Sequence, residues 1–173
     1  MTENAAENTT ANPAGTEAGP GPRKSLVVVD NSAELKAALR FACRRAVHTG
    51  GLVALFYALP SAEFQHFASV RELMEREARN EAEQLLQDVA ADVHRQTGTF
   101  PALYIREGDT MEQLLRVIAE DPSFSVLVLG AGTGSEGPGP LVSAISGRLS
   151  GKIRIPVTIV PGDLDTAQID ALS

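Results

Sequence analysis

The stretch FSVLVLGAGTGSEGPGP, residues 124–140, decides the fold. Its first six residues are apolar and β-branched with only Ser125 interrupting, the pattern of a strand covered on both faces, as parallel strands are. The glycines and prolines that follow stop the strand abruptly. Leu141, Val142, Ile145 and Leu149 then recur at helical spacing, so the stretch reads as a buried strand, a glycine loop and a short helix.

The same alternation extends in both directions. Upstream, SLVVVD (residues 25–30) is a first strand ended by Asp30-Asn31-Ser32. Leu35, Leu39, Ala42, Cys43 and Ala46 mark a helix, with Asn31 and Glu34 as a cap pair and Gly50-Gly51 as its stop. Leu52 to Leu59 is a second continuous apolar strand, followed by a loop with Phe64, His66 and Phe67. The capping box Ser69-x-x-Glu72 opens a long helix to Thr97, striped by Leu73, Ala78, Ala82, Leu85, Val89 and Val93 and closed at Gly98. Ala102 to Arg106 is a third strand. Glu107-Gly108-Asp109 turns it into a helix carrying Met111, Leu114, Leu115 and Ile118, which Asp121-Pro122 ends. Downstream, IRIPVTIV (residues 153–160) is a last strand, and Pro156 favours an edge position for it.

Four β-α repeats and a final strand predict a doubly wound α/β domain: a mostly parallel sheet with right-handed crossovers and helices on both faces. Ligands bind such sheets beyond the carboxyl ends of the strands. Here those ends are Asp30-Asn31-Ser32, Tyr57-Ala58-Leu59, Glu107-Gly108-Asp109 and the loop at Gly130.

Composition narrows the function. The chain has 173 residues, a net charge of -7, no Trp and two Tyr, which disfavours a nucleic-acid partner. Residues 1–24 contain no Leu, Ile, Val or Phe and are expected to form a disordered tail. The domain then covers residues 25–162, leaving 163–173 as a C-terminal tail. No apolar run approaches the length of a membrane span and no secretory pattern opens the chain, so the expectation is a cytoplasmic protein without a membrane partner. His48, His66 and His94 lack metal-ligand spacing, and neither a phosphate-loop lysine nor a nucleophile elbow is present. No catalytic residues and no metal site are predicted, and the lone Cys43 reads as a buried small hydrophobe. GAGTG after a strand imitates a dinucleotide fingerprint, but it lacks the full spacing and precedes Pro138 and Pro140. The domain reads as a binding or signalling module more than as an enzyme.

VVVDNS at the first strand, REGDTMEQLL after the third, VLVLGAGT at the fourth and IPVTIVP at the end together resemble the universal stress protein family over about residues 25–161. The resemblance implies a five-stranded parallel sheet of order 3-2-1-4-5. It also implies homodimers paired through the last strand, here Ile153, Ile155, Val157 and Ile159, and in one branch an ATP or AMP site, with magnesium. Asp30, with Asn31 and Ser32 beside it, matches an acid that resembles an adenine-facing group, and Ala58 matches a backbone contact. Asp30 reads equally as a carboxylate favoured by a helix N-terminus.

In the nucleotide-binding branch the fourth strand is followed by a glycine, two residues, a second glycine, nine residues, then glycine and Ser or Thr. Counted from Gly130, Thr133 stands at the second glycine, Ser143 at the third and Ala144 at the hydroxyl, so only the first element survives. Glycines admit phosphate to the backbone and a hydroxyl at a helix start donates to it. Their loss implies weakened ATP binding, with Gly132, Ser143, Ile145 and Ser146 as the remaining loop and helix contacts. The expectation is a homodimeric stress-response sensor or scaffold with weak or lost ATP binding and a protein partner. The alternative is an adenine-nucleotide switch with little or no hydrolysis; an enzyme or electron-transfer subunit on the same superfold is a third reading.

Overall fold

Short, continuous apolar runs become strands because both faces of the sheet they form are covered. In the computed structural model, which describes residues 21–60, 68–147 and 151–173, these are β1 (Lys24–Val28), β2 (Leu52–Leu59), β3 (Ala102–Glu107), β4 (Phe124–Ala131) and β5 (Val157–Pro161). The helices are α1 (Leu35–Thr49), α2 (Ala68–Thr97), α3 (Thr110–Glu120), α4 (Pro140–Ser146) and α5 (Thr166–Leu172). All strand pairs are parallel and the order is β3-β2-β1-β4-β5, the predicted 3-2-1-4-5. Strand order reverses between β1 and β4, which leaves an opening at their carboxyl ends.

Alternate residues of each strand feed two cores. Val27, Val29, Leu55 and Val128 meet Leu39 and Cys43 of α1, Val93 of α2 and Ile169 of α5. On the other face Leu26, Phe56, Phe124 and Leu127 meet Leu114 and Val117 of α3 and Ile145 of α4.

Several elements depart from the sequence reading. The domain includes residues before Ser25: Arg23 donates to the carbonyls of Pro122 and Phe124 at 2.9 and 3.0 Å, and Lys24 already belongs to β1. Residues 1–20 of the expected tail lie outside the described residues, as do Phe64, His66, Phe67 and Leu149 and the side chain of Ser69. Asn31 and Glu34 do not cap α1 as a pair. The helix opens at Leu35 with Glu34 at the cap position making no side-chain cap bond, while the Asp30 carboxylate accepts the Ser32 N–H at 3.0 Å.

The stripe of α2 holds only in its second half. Ala82, Leu86, Val89 and Val93 are buried, whereas Leu73 is 53% exposed and Ala78 is exposed. The 30-residue helix is about 45 Å long. A strand of eight residues spans only about 26 Å, so the first turns of α2 have no sheet to lie on.

The last strand is shorter than IRIPVTIV. It starts at Val157, and Pro156, which has no N–H, precedes it and accepts the Leu127 N–H at 2.9 Å through its carbonyl. Ile153 and Ile155 therefore stand outside the edge strand expected to carry them, half-buried against the α3/α4 side of the core; Val157 and Ile159 lie on it. The segment expected to be a C-terminal tail contains α5. Asp165 and Gln168 close a reciprocal capping box, Ile169 is buried, and Arg40 of α1 holds Asp170 through two hydrogen bonds of 2.8 and 2.6 Å.

A polar knot ties the amino ends of the strands. Asp121 accepts from Lys24 Nζ at 2.8 Å, from Tyr104 OH at 2.5 Å and from Ser123. Burial alone would raise the Asp121 pKa, but the bonds from Lys24, Ser123 and Tyr104 outweigh it and hold the carboxyl well below its usual range. Lys24 is raised chiefly by its bond to Asp121, and Tyr104 is raised by burial and then by Asp121. A depressed acid stabilises above its unfolded pKa of about 3.9 and loses that contribution as pH falls. A raised Lys or Tyr stabilises below about 10 and loses it as pH rises. Stability measured by urea titration is therefore expected to be flat between about pH 5 and 9 and to fall on both sides. In Asp121→Asn the acid-side fall should shrink; an unchanged acid limb would refute this role for the knot.

Candidate functional site

The opening between β1 and β4 is floored by the last residues of both strands and walled by the loops that leave them. Two adjoining clefts form it, sharing Val28, Asp30, Pro140 and Leu141. One, of about 470 Å³, runs from the β1 end toward β2 and the start of α3, and Asn31, Tyr57, Ala58, Thr110, Met111 and Ala144 line it. The other, of about 620 Å³, lies under the glycine loop beside Ser32, Glu34, Gly130, Gly132 and Glu136.

Most of the residues predicted from sequence converge here. Asp30 faces both clefts; Asn31, Ala58 and Ala144 line the first, and Ser32, Gly130 and Gly132 the second. Thr133, Ser143, Ile145 and Ser146 line neither. Thr133 and Ser146 are exposed, the Ser143 hydroxyl donates to the Gly139 carbonyl at 2.8 Å, and Ile145 is only 4% exposed within the core. The wall from Thr110, Met111 and Leu141 escaped the sequence reading, although the turn Glu107-Gly108-Asp109 pointed to it. Glu34 and Glu136 also escaped, because a cap candidate and a loop acid carry no spacing signal.

The glycines act differently from a row of phosphate contacts. A Cβ on Gly130 would lie 2.6 Å from the Glu34 carbonyl oxygen and 2.7 Å from the Glu34 Cβ. Such a contact is too close for real atoms, so Gly130 is required where α1 presses on the end of β4. A Cβ on Gly132 would lie 2.7 Å from the Gly137 carbonyl oxygen and 3.1 Å from Glu34 Oε1, and one on Gly162 would meet Glu34 Cγ at 2.5 Å. Positive φ is needed further along, at Gly137 (82°) and Gly139 (94°), where the loop folds back into α4. Pro140 at the first position of α4 also removes one of the N–H groups that a helix start offers to an anion.

Electrostatics set the character of the opening. Asp30, Glu34, Asp109 and Glu136 line the two clefts, and no Lys or Arg among the described residues does. Among the described residues no group of three or more His, Cys, Asp or Glu is disposed to hold a metal ion. Across the Asp30 turn, a groove of about 790 Å³ between α1, α2 and α5 mixes Lys36, Arg40 and Arg95 with Asp88 and Asp92. Cys43 is fully buried on the inner face of α1, and burial, then the nearby Asp92, pushes its thiol up to about 12, so it carries no thiolate chemistry.

Comparison with known proteins fits this geometry. No curated protein is matched by the chain. Its fold is similar to universal stress protein UspA from Lactobacillus plantarum, at 19% identity and a TM-score of 0.67, covering 80% of this chain and 97% of that one. It is similar to a protein from the universal stress protein family from Burkholderia pseudomallei, at 23% identity and a TM-score of 0.61, covering 80% and 95%. The universal stress protein from Archaeoglobus fulgidus, solved in complex with dAMP, aligns at 17% identity and a TM-score of 0.58 over 82% of this chain and 98% of that one. At these identities the likeness is one of fold. Among the described residues no helix is long and apolar enough to cross a membrane. The model of the universal stress protein family matches residues 22–161, which spans the whole sheet and the opening at its carboxyl ends, and the chain belongs to that family.

Proposed function

We propose that this protein is a cytoplasmic stress-response sensor or scaffold that acts through protein partners and has weak or lost ATP binding. The observation that carries the reading is the contrast between the two clefts. The first keeps apolar walls, at Val28, Met111, Leu141 and Ala144, with polar groups at Asp30, Asn31 and Thr110, a surface suited to a flat heterocycle. The second, where phosphates would follow, offers carboxylates and a self-closed glycine loop, with no cation among the described residues. A homodimer through β5 belongs to the same reading, since Val157 and Ile159 lie on an edge strand and Ile159 is 41% exposed.

Calorimetry with ATP and magnesium tests this directly. The expected result is no heat, or a Kd weaker than about 1 mM, which corresponds to roughly 4 kcal/mol of binding free energy. Micromolar binding abolished by Asp30→Ala would reject it in favour of an adenine-nucleotide switch. That second reading draws on the complexes of family members with dAMP and with cAMP.

A further inference from the structure

Glu34 fills the space that three glycines leave open. Side chains at positions 130, 132 and 162 would collide with its Cβ, Oε1 and Cγ, and its backbone carbonyl accepts the N–H groups of Ala37 and Ala38 at 3.1 and 3.2 Å. Its half-buried side chain thus runs along these glycines and places the carboxylate beside Gly132 at the glycine side of the opening. Glu136 on the loop and Asp30 on the shared wall face the same space. A phosphate entering this cleft meets three carboxylates and, among the described residues, no compensating lysine or arginine, inside a concave site where their field is less screened than at an open surface. The adjoining cleft carries no such penalty for a neutral ring and sugar.

We propose that Glu34 is a specificity-determining residue that makes the opening select an uncharged nucleoside-type ligand over the phosphorylated forms of the same nucleoside. The inference rests on the reading that the opening takes an adenine ligand. It differs from simple loss of affinity, because it assigns the largest part of the discrimination to one charge that can be removed while keeping the side-chain atoms packed around it. Glu34→Gln keeps the Cβ and Cγ that the two glycines accommodate and removes only the charge.

The test is equilibrium dialysis of the full chain with adenosine, AMP and ATP at low ionic strength, each with and without magnesium, for the wild type, Glu34→Gln and Glu136→Gln. The wild type is expected to bind adenosine at least about tenfold more tightly than AMP or ATP. In Glu34→Gln that ratio should narrow by about tenfold, with adenosine affinity changed less than about twofold. Glu136→Gln, on an exposed part of the loop, should move it the same way by less, and provides the charge test should Glu34→Gln fail to fold. Added salt should narrow the wild-type ratio as well. Equal wild-type affinities for adenosine and ATP, or a ratio untouched by both substitutions, would overturn the assignment while leaving an adenine site standing. No binding of adenosine or nucleotide to any of the three proteins would overturn the adenine site itself, and the assignment with it.

Discussion

Gly130→Ala is expected to destabilise the fold by about 2–3 kcal/mol, whereas Gly134→Ala, four residues on, should change it by less than about 0.5 kcal/mol. The difference follows from what each methyl group would touch. At position 130 it would lie 2.6 Å from the Glu34 carbonyl oxygen and 2.8 Å from the carbonyl carbon, backbone atoms held in the first turn of α1. Relief requires α1 to lift from the end of β4, and the buried Leu35 and Leu39 would lift with it. At position 134 nothing lies within 4 Å. Urea denaturation of both variants, without any ligand, measures the contrast. Similar destabilisation by the two substitutions would mean that Gly130 is not a packing glycine. The expected result gives Gly130 a packing role independent of any ligand.

Phe56→Ala should cost about 3–5 kcal/mol, a large share of the roughly 5–15 kcal/mol that holds a domain of this size together. Phe56 is fully buried at the centre of β2, registered beside Val28 of β1 and Tyr104 of β3. It belongs to the core with Leu114, Val117, Phe124 and Leu127, between the sheet and α3. Removing the ring leaves a cavity that strands tied on both sides cannot collapse to fill. Phe56→Leu, which fills most of that volume, should cost roughly 1–2 kcal/mol. The pair is compared by the midpoint of denaturant unfolding. Equal costs for Ala and Leu would show that the site relaxes freely, against the tight packing described above.

The two substitutions probe different parts of the same design. Phe56 anchors the strand whose carboxyl end carries Tyr57 and Ala58 into the first cleft, and Gly130 anchors the loop that walls the second. A loss at either reaches the opening through the backbone, so ligand comparisons are clean only for changes that leave the packing in place, such as Glu34→Gln and Glu136→Gln.

Much of this arrangement was legible in the residues. Uninterrupted apolar runs, Leu52 to Leu59 and Phe124 to Leu129, fixed buried parallel strands, because only a sheet covered on both faces tolerates them. Asp30, Asn31, Ala58, Gly130 and Gly132 could be placed near one another because the strand ends that carry them meet at the point where strand order reverses. Helical period also predicted α1 and α3 closely. It overreached in α2, since period states which face is apolar but not where the sheet beneath it ends. It gave no sign of α5, a seven-residue helix held by Ile169, the Asp165–Gln168 box and the Arg40–Asp170 pair more than by any stripe of its own.

Local sequence thus determined the order of elements as far as β5, the parallel sheet and the strand ends at which a site had to lie, because those properties follow from hydrophobic period and chain crossover alone. Which groups face the opening was decided by tertiary structure. Glu34 looks like a helix cap in the chain, yet Gly130, Gly132 and Gly162, distant in sequence, leave the space its side chain occupies, and it lines the cleft. Ser143 looks like a ligand donor, yet its hydroxyl is directed to the Gly139 carbonyl. Charge and direction at a site depend on which distant backbones press against a side chain, and no local pattern encodes that.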